Sequence, residues 1–241
     1  MIFEHLTVGP LQCNCYILGD EATREAIVVD PGEEAGRILA LVNRHRLTVR
    51  TIVQTHAHFD HVGAGGPLRE ATGAEVCLHR GDTFLYENLA MQAKLFGVPV
   101  PKAAPVSRWY DHGEEVKAGG LALGVIHTPG HTPGSVCLFL DAGARAEMKF
   151  PTSAADRSAM APRPEPPGCD PSAALLFSGD TLFCGSIGRT DLWGGSYEQI
   201  MASIASRLLT LPDDTVVYPG HGPETTIGDE RRSNPFIQQL F

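Results

Sequence analysis

No run of the 241 residues approaches the roughly 18 consecutive apolar residues that a helical membrane span requires, so no membrane partner is expected. The opening Met1-Ile2-Phe3-Glu4-His5 lacks the basic-then-apolar pattern of a secretory leader, and a cytoplasmic location is the expectation. Positive charge is scarce. Nineteen Lys and Arg against 28 Asp and Glu leave a net charge of −9, which repels a phosphate backbone and argues against nucleic acid as a partner. Metal ions would reverse that sign locally and let an acidic protein attract a small anion. Paired cysteine motifs are missing too. Cys13, Cys15, Cys77, Cys137, Cys169 and Cys184 form no C-x-x-C pair. Cys15, Cys77 and Cys137 lie in apolar runs and read as buried free thiols, and Cys184 reads as a packing residue. A cysteine-ligated zinc site is set aside.

What is present is an alternation of strand and helix patterns. Short β-branched, apolar runs predict strands at 15–18, 26–29, 49–53, 75–78, 121–126, 136–140, 174–177 and 215–218. Helical spacing appears at 34–45, less regularly at 82–95, and after Ser196. There a Ser-x-x-Gln capping box precedes Ile200, Ile204 and Leu208. Interleaving of this kind implies a single α/β domain over 1–241. Proline and alanine crowd a stretch at about 141–173 that has no periodicity. It reads as a loop insertion in that one domain, mobile or touching another chain. The flanking strands place it at their far end, roughly 15–20 Å from the motifs described next at about 3.3 Å per residue.

Four of the strand-like runs end in potential metal ligands. They run into Thr55-His56-Ala57-His58-Phe59-Asp60-His61, into His127-Thr128-Pro129-Gly130-His131, into Ser178-Gly179-Asp180 and into Pro219-Gly220-His221-Gly222. Ligand sites of α/β folds gather at the carboxyl ends of strands, and glycine or proline beside three of the four lets the chain turn sharply there. His56, His58, Asp60 and His61 offer four donors within six residues, more than one tetrahedral ion accepts from so short a segment. Two ions divide them more easily. His56, His58 and His131 can serve one, Asp60, His61 and His221 the other, with the two oxygens of Asp180 as a bridge. Zinc, iron and manganese all accept mixed histidine and aspartate donors, with zinc the first expectation. His5, His45, His79 and His112 read as surface or core residues, and His127 as a packing or hydrogen-bonding neighbour of the site.

These motifs, with Gly188-Arg189-Thr190-Asp191-Leu192 and Glu230-Arg231-Arg232-Ser233-Asn234-Pro235-Phe236, resemble the metallo-β-lactamase superfamily over nearly the whole chain. Within it the chain looks most like short hydroxyacylglutathione hydrolases of the glyoxalase II type. The resemblance implies an αββα sandwich with a binuclear site at one edge, and His56, His58, Asp60, His61, His131, Asp180 and His221 as its ligands. It implies cleavage of a small thioester, such as the glutathione-linked S-D-lactoylglutathione, by a metal-bridging hydroxide that Asp60 orients. The β-lactamases of this fold lack a bridging aspartate and fit less well. The C-terminal helical region with which longer relatives bind glutathione has no counterpart here. Arg189, Arg231 and Arg232 are the candidates to meet a substrate carboxylate, or equally to form surface salt bridges. A second reading is a persulfide dioxygenase of the same fold, with one iron on His56, His131 and Asp180. Oligomeric state is left open.

Overall fold

The computed structural model describes residues 1–141, 143 and 173–240. The apolar runs become strands of two six-stranded sheets. The first contains β1 (Ile2–Val8), β2 (Cys13–Gly19), β3 (Glu25–Val29), β4 (Thr48–Val53), β5 (Glu75–His79) and β6 (Arg108–Tyr110), in that spatial order. β1 to β3 pair antiparallel and β3 to β6 parallel. The chain continues through β7 (Glu115–Ala118), β8 (Leu121–His127), β9 (Val136–Leu140), β10 (Leu175–Gly179), a short hairpin of β11 (Leu182–Phe183) and β12 (Ser186–Ile187), then β13 (Val216–Pro219) and β14 (Thr225–Thr226). The second sheet has the order β14-β13-β10-β9-β8-β7, parallel only between β10 and β13.

Three apolar layers hold these elements together. Between the sheets, Tyr16, Leu18, Ile27, Val29 and Val53 of the first meet Leu123, Val125, Leu138, Phe177 and Val216 of the second. Ile38 and Val42 of helix Ala35–Arg44, with Leu68 of helix Gly65–Thr72, cover the outer face of the first sheet at Ile17, Val28, Ile52 and Val76. Ile200, Ile204, Leu208 and Ile227 cover the second at Cys137, Leu176 and Val217. The result is the expected αββα sandwich. Burial on both faces explains why β2 is apolar almost throughout rather than alternating.

Two helices depart from the sequence reading. The stretch at 82–95 is broken at Asn88 into Thr83–Glu87 and Leu89–Phe96. Asn88 turns its side-chain amide onto the Phe84 carbonyl, competing with the backbone as asparagine does. Helix Tyr197–Ser203 starts on the Ser196 cap as expected but loosens into a π turn over Ile204–Leu208. Residues 142 and 144–172 carry most of the expected insertion and lie outside the described residues. Its flanks are joined, with Leu140 paired to Leu175. That pairing sits at the end of β9 and β10 remote from Asp180. Among the described residues no helix is long and apolar enough to cross a membrane.

Phe177 lies at the junction of the two sheets, is 1% exposed and packs its ring against Phe3, Tyr16 and Tyr218. Truncating Phe177 to Ala removes contacts on both sheets and should cost about 3–5 kcal/mol in denaturant unfolding. A loss under about 1 kcal/mol would mean that the sheets do not depend on this junction.

Candidate metal centre

β4, β8, β10 and β13 deliver their following loops to one edge of the sandwich, and the seven donor residues meet there. Three groups of potential ligands form: His56, His58 and His131; His56, His61 and Asp180; and Asp60, His61 and His221. In the first, His56 Nε2, His58 Nδ1 and His131 Nε2 stand 3.1, 3.2 and 2.9 Å apart. Donors around one ion with bonds of ~2.0–2.1 Å are separated by about 3.3 Å, so the triangle has the size of a tetrahedral face. In the last, His221 Nε2 is 3.2 Å from His61 Nε2 and 3.3 Å from Asp60 Oδ2. Asp180 lies between the two. Its Oδ2 is 3.5 Å from His131 Nε2 and 3.7 Å from His221 Nε2, while Oδ1 is 3.5 Å from His61 Nε2.

The electrostatics suit cations. Burial pushes the imidazoles of His56 and His58 well below their ordinary range, and neighbouring histidines push the same way, so both present neutral nitrogens. Burial opposes ionisation of Asp60, but His61 and His221 outweigh it and hold the carboxyl well below the usual carboxylate value. Asp180 Oδ1 is buried with no hydrogen-bond partner. An unsatisfied carboxylate oxygen among imidazole nitrogens is costly unless a cation joins them. The donor set, its spacing and this orphaned oxygen all fit divalent metal ions.

Most of the nitrogens facing away from the centre are anchored. Asp30 Oδ2 accepts from His61 Nδ1 at 3.1 Å and from the Thr55 hydroxyl at 2.6 Å, and that hydroxyl in turn lies 3.1 Å from His56 Nδ1. One buried carboxylate thus steers a histidine in each of two groups. His131 Nδ1 donates to the Arg189 carbonyl at 2.8 Å and His221 Nδ1 to the Gln12 carbonyl at 3.2 Å. Such partners fix both tautomer and ring orientation. Asn14 of β2 grips the His221 loop, donating from Nδ2 to the carbonyls of Pro219 at 3.0 Å and Gly222 at 2.9 Å.

Sequence reasoning did not single out Asp30, Asn14, Asp82 or Gln92, all of which bond to the ligand-bearing loops. Asp30-Pro31-Gly32 was a readable signal, a fifth strand end where a carboxylate adjoins proline and glycine. Arg189 is at the site through its carbonyl, while its exposed guanidinium forks onto Asp191 at 2.7 and 2.8 Å. Arg232 pairs with Asp229 and Arg231 with Asp213, the latter in the turn before β13, whereas His221 follows its end. Cys184 is exposed at the turn between β11 and β12, correcting the packing role expected for it. His127 stacks on His79 at 4.0 Å and donates to the Pro133 carbonyl at 2.8 Å.

Comparison with known proteins gives a consistent picture. The model of the metallo-beta-lactamase superfamily matches residues 8–143. Hydroxyacylglutathione hydrolase GloC of Haemophilus influenzae is 36% identical over 239 residues, covering 98% of each chain. Among solved structures, the B3 metallo-beta-lactamase BLEG-1 aligns with a TM-score of 0.79 at 36% identity, over 98% of this chain and 99% of that one. TTHA1623 in a di-iron-bound form gives 0.75 at 37% identity, over 97% and 99%. ETHE1 from Myxococcus xanthus gives 0.70 at 32% identity, over 98% and 84%.

Gly220 lets the backbone come against the ligand side chains themselves, since a Cβ there would stand 2.2 Å from Asp180 Oδ1 and 2.8 Å from His61 Cε1. Gly220→Ala should therefore lower bound metal per folded chain, measured by elemental analysis after dialysis. Unchanged metal content would show that the centre tolerates displacement of Asp180.

Proposed function

The chain belongs to the metallo-β-lactamase superfamily, and from that premise we propose that it is a thioester hydrolase of the glyoxalase II type. Its proposed substrate is a small, glutathione-linked acyl thioester such as S-D-lactoylglutathione. His56, His58 and His131 would hold one divalent ion and Asp60, His61 and His221 a second, with Asp180 available to both. The observation that carries this reading is the placement of the Asp180 carboxylate between two groups of three donors each. Zinc is the proposed metal. The di-iron form of TTHA1623 supports iron as compatible with a site of this kind, and manganese accepts the same donors.

Bound ions of this type supply Lewis acidity toward a carbonyl oxygen and a nucleophilic water at neutral pH. The chain's own residues then set direction and access. His56 and His61 are 0% exposed, whereas the side chains of Asp60, Asp180 and His221 are 15, 11 and 28% exposed. Substrate therefore approaches from the side of Asp60 and His221. Asp60 is held ionised and would ligate an ion through one oxygen, leaving the other to accept a hydrogen bond from a water and aim it at the carbonyl. A thiol of pKa about 8.5 leaves as thiolate without a dedicated acid, so no further proton donor is required. Arg189, beside His131, is the proposed contact for a substrate carboxylate once its Asp191 pairing opens, with Arg232 a more remote candidate. The five described cysteines are free thiols, which supports a reducing, cytoplasmic setting.

The approach of His56, His131 and Asp180, two histidines and a carboxylate, favours a second reading, a persulfide dioxygenase using one iron. It leaves Asp60, His61 and His221 without a task, although the outward nitrogens of His61 and His221 are anchored like those of His56 and His131. The readings separate in one set of assays on purified, metal-analysed protein. Hydrolysis of S-D-lactoylglutathione with two ions per chain supports the first. Oxygen uptake on glutathione persulfide with one iron supports the second, and turnover of a β-lactam would favour the chemistry named for BLEG-1. Asp180→Ala should lose metal and at least a hundredfold of thioester hydrolysis together, about 3 kcal/mol of barrier. Retention of full turnover by that variant would contradict the scheme.

A further inference from the structure

Among the five clustered histidines, His58 is oriented differently. The outward nitrogens of His56, His61, His131 and His221 are bonded to Thr55, Asp30, the Arg189 carbonyl and the Gln12 carbonyl. The outward Nε2 of His58 is buried with no hydrogen-bond partner. No hydrogen bond on that side holds Nδ1 in the triangle with His56 and His131, which leaves the placement of the ring to its packing and to the peptides that flank it.

Two buried side chains from one segment hold those peptides. Asp82 and Gln92 are both 0% exposed. Asp82 Oδ2 accepts from the Ala57 N–H at 2.9 Å and from the Thr132 hydroxyl at 2.8 Å, and Oδ1 accepts from the Gly134 N–H at 2.6 Å. Ala57 separates His56 from His58, and Thr132 follows His131, so one carboxylate joins the two loops that build the triangle. Gln92 completes the hold. Its Nε2 donates to the Ala57 carbonyl at 3.0 Å and to the Leu85 carbonyl at 2.9 Å, and its Oε1 accepts from the Phe59 N–H at 3.1 Å. The peptides on both sides of His58 are thereby fixed, while neither residue bonds to the loop carrying His221.

We propose that Asp82 and Gln92 are positioning residues that set His58 through its flanking peptides, and thereby set affinity for the ion at the His56, His58 and His131 face alone. The proposal rests on the reading of that face as one of two ion sites. The isosteric changes Asp82→Asn and Gln92→Glu each keep size while turning one acceptor into a donor, or one donor into an acceptor, against a fixed backbone group. An apolar side chain at either position would leave the Ala57, Gly134 or Phe59 N–H without these partners and would release the peptides flanking His58.

The test is stepwise loading of the ion-free protein with Co²⁺, followed by calorimetry and visible absorption, with a thermal melt of each ion-free variant. His131→Ala marks which step belongs to the triangle. In Asp82→Asn and Gln92→Glu that step should weaken by about ten- to a hundredfold while the other stays within about twofold. Two unchanged steps in folded variants, or equal weakening of both, overturns the proposal in favour of a general packing role. Should Asp82→Asn fail to fold, Gln92→Glu decides alone. Wild-type protein that binds no Co²⁺ overturns the reading of the metal centre as well, whereas two normal wild-type steps with unaffected variants overturn only the positioning role.

Discussion

Lone pairs aimed at one another across about 3 Å repel, and the molecule gathers seven residues that do this. Three nitrogens of His56, His58 and His131 converge, two nitrogens and an oxygen of His61, His221 and Asp60 converge beside them, and a carboxylate stands between. Without shared cations, buried donors of this kind would relax apart or take up protons. The rest of the structure is arranged to prevent that relaxation. Two sheets pack so that one end of the sandwich collects the loops after β4 from the first and those after β8, β10 and β13 from the second. Gly220 removes the side chain that would push Asp180 out of line.

Orientation is supplied by a surrounding set of polar groups, each doing a separable task. Asp30 steers His61 directly and His56 through Thr55, tying the two groups together electrostatically. Asn14 holds the backbone on both sides of His221. Asp82 and Gln92 hold the backbone on both sides of His58. These bonds are buried, where a hydrogen bond is strong and an unmade one is costly, so they leave the donors few alternative positions. Preorganisation of that kind is what allows a site to act electrostatically without rearranging during reaction.

Much of this was legible in the sequence, for a physical reason. Metal donors at the ends of apolar β-branched runs combine two local signals, strand propensity and ligand spacing, and neither needs tertiary information. The central strands and the Ser196 cap were therefore found from the chain alone, and the seven side chains singled out there are ones the fold brings together. Edge strands were missed. β1 interrupts its apolar residues with Glu4, His5 and Thr7, β7 alternates, and β6 and β14 span only three and two residues, so none of these edge strands shows a continuous apolar run. The break at Asn88 depends on a single side-chain bond that no periodicity reveals. Asp82 and Gln92 were invisible for a further reason. Each sits at helical spacing on a segment remote in sequence from the loops it holds, and a buried polar partner declares itself only once the fold is formed. Cys184 was misjudged because its neighbours Leu182 and Phe183 are apolar, whereas the tight turn at Gly185 lifts the thiol into solvent.

The central claim is that Asp180 is shared by two ions. Anomalous diffraction from crystals of the metal-loaded protein tests it most directly. The account predicts two peaks, one among His56, His58 and His131 and one among Asp60, His61 and His221, each within bonding distance of an oxygen of Asp180. A single peak at full metal loading, or two peaks with Asp180 turned away from either, would contradict it.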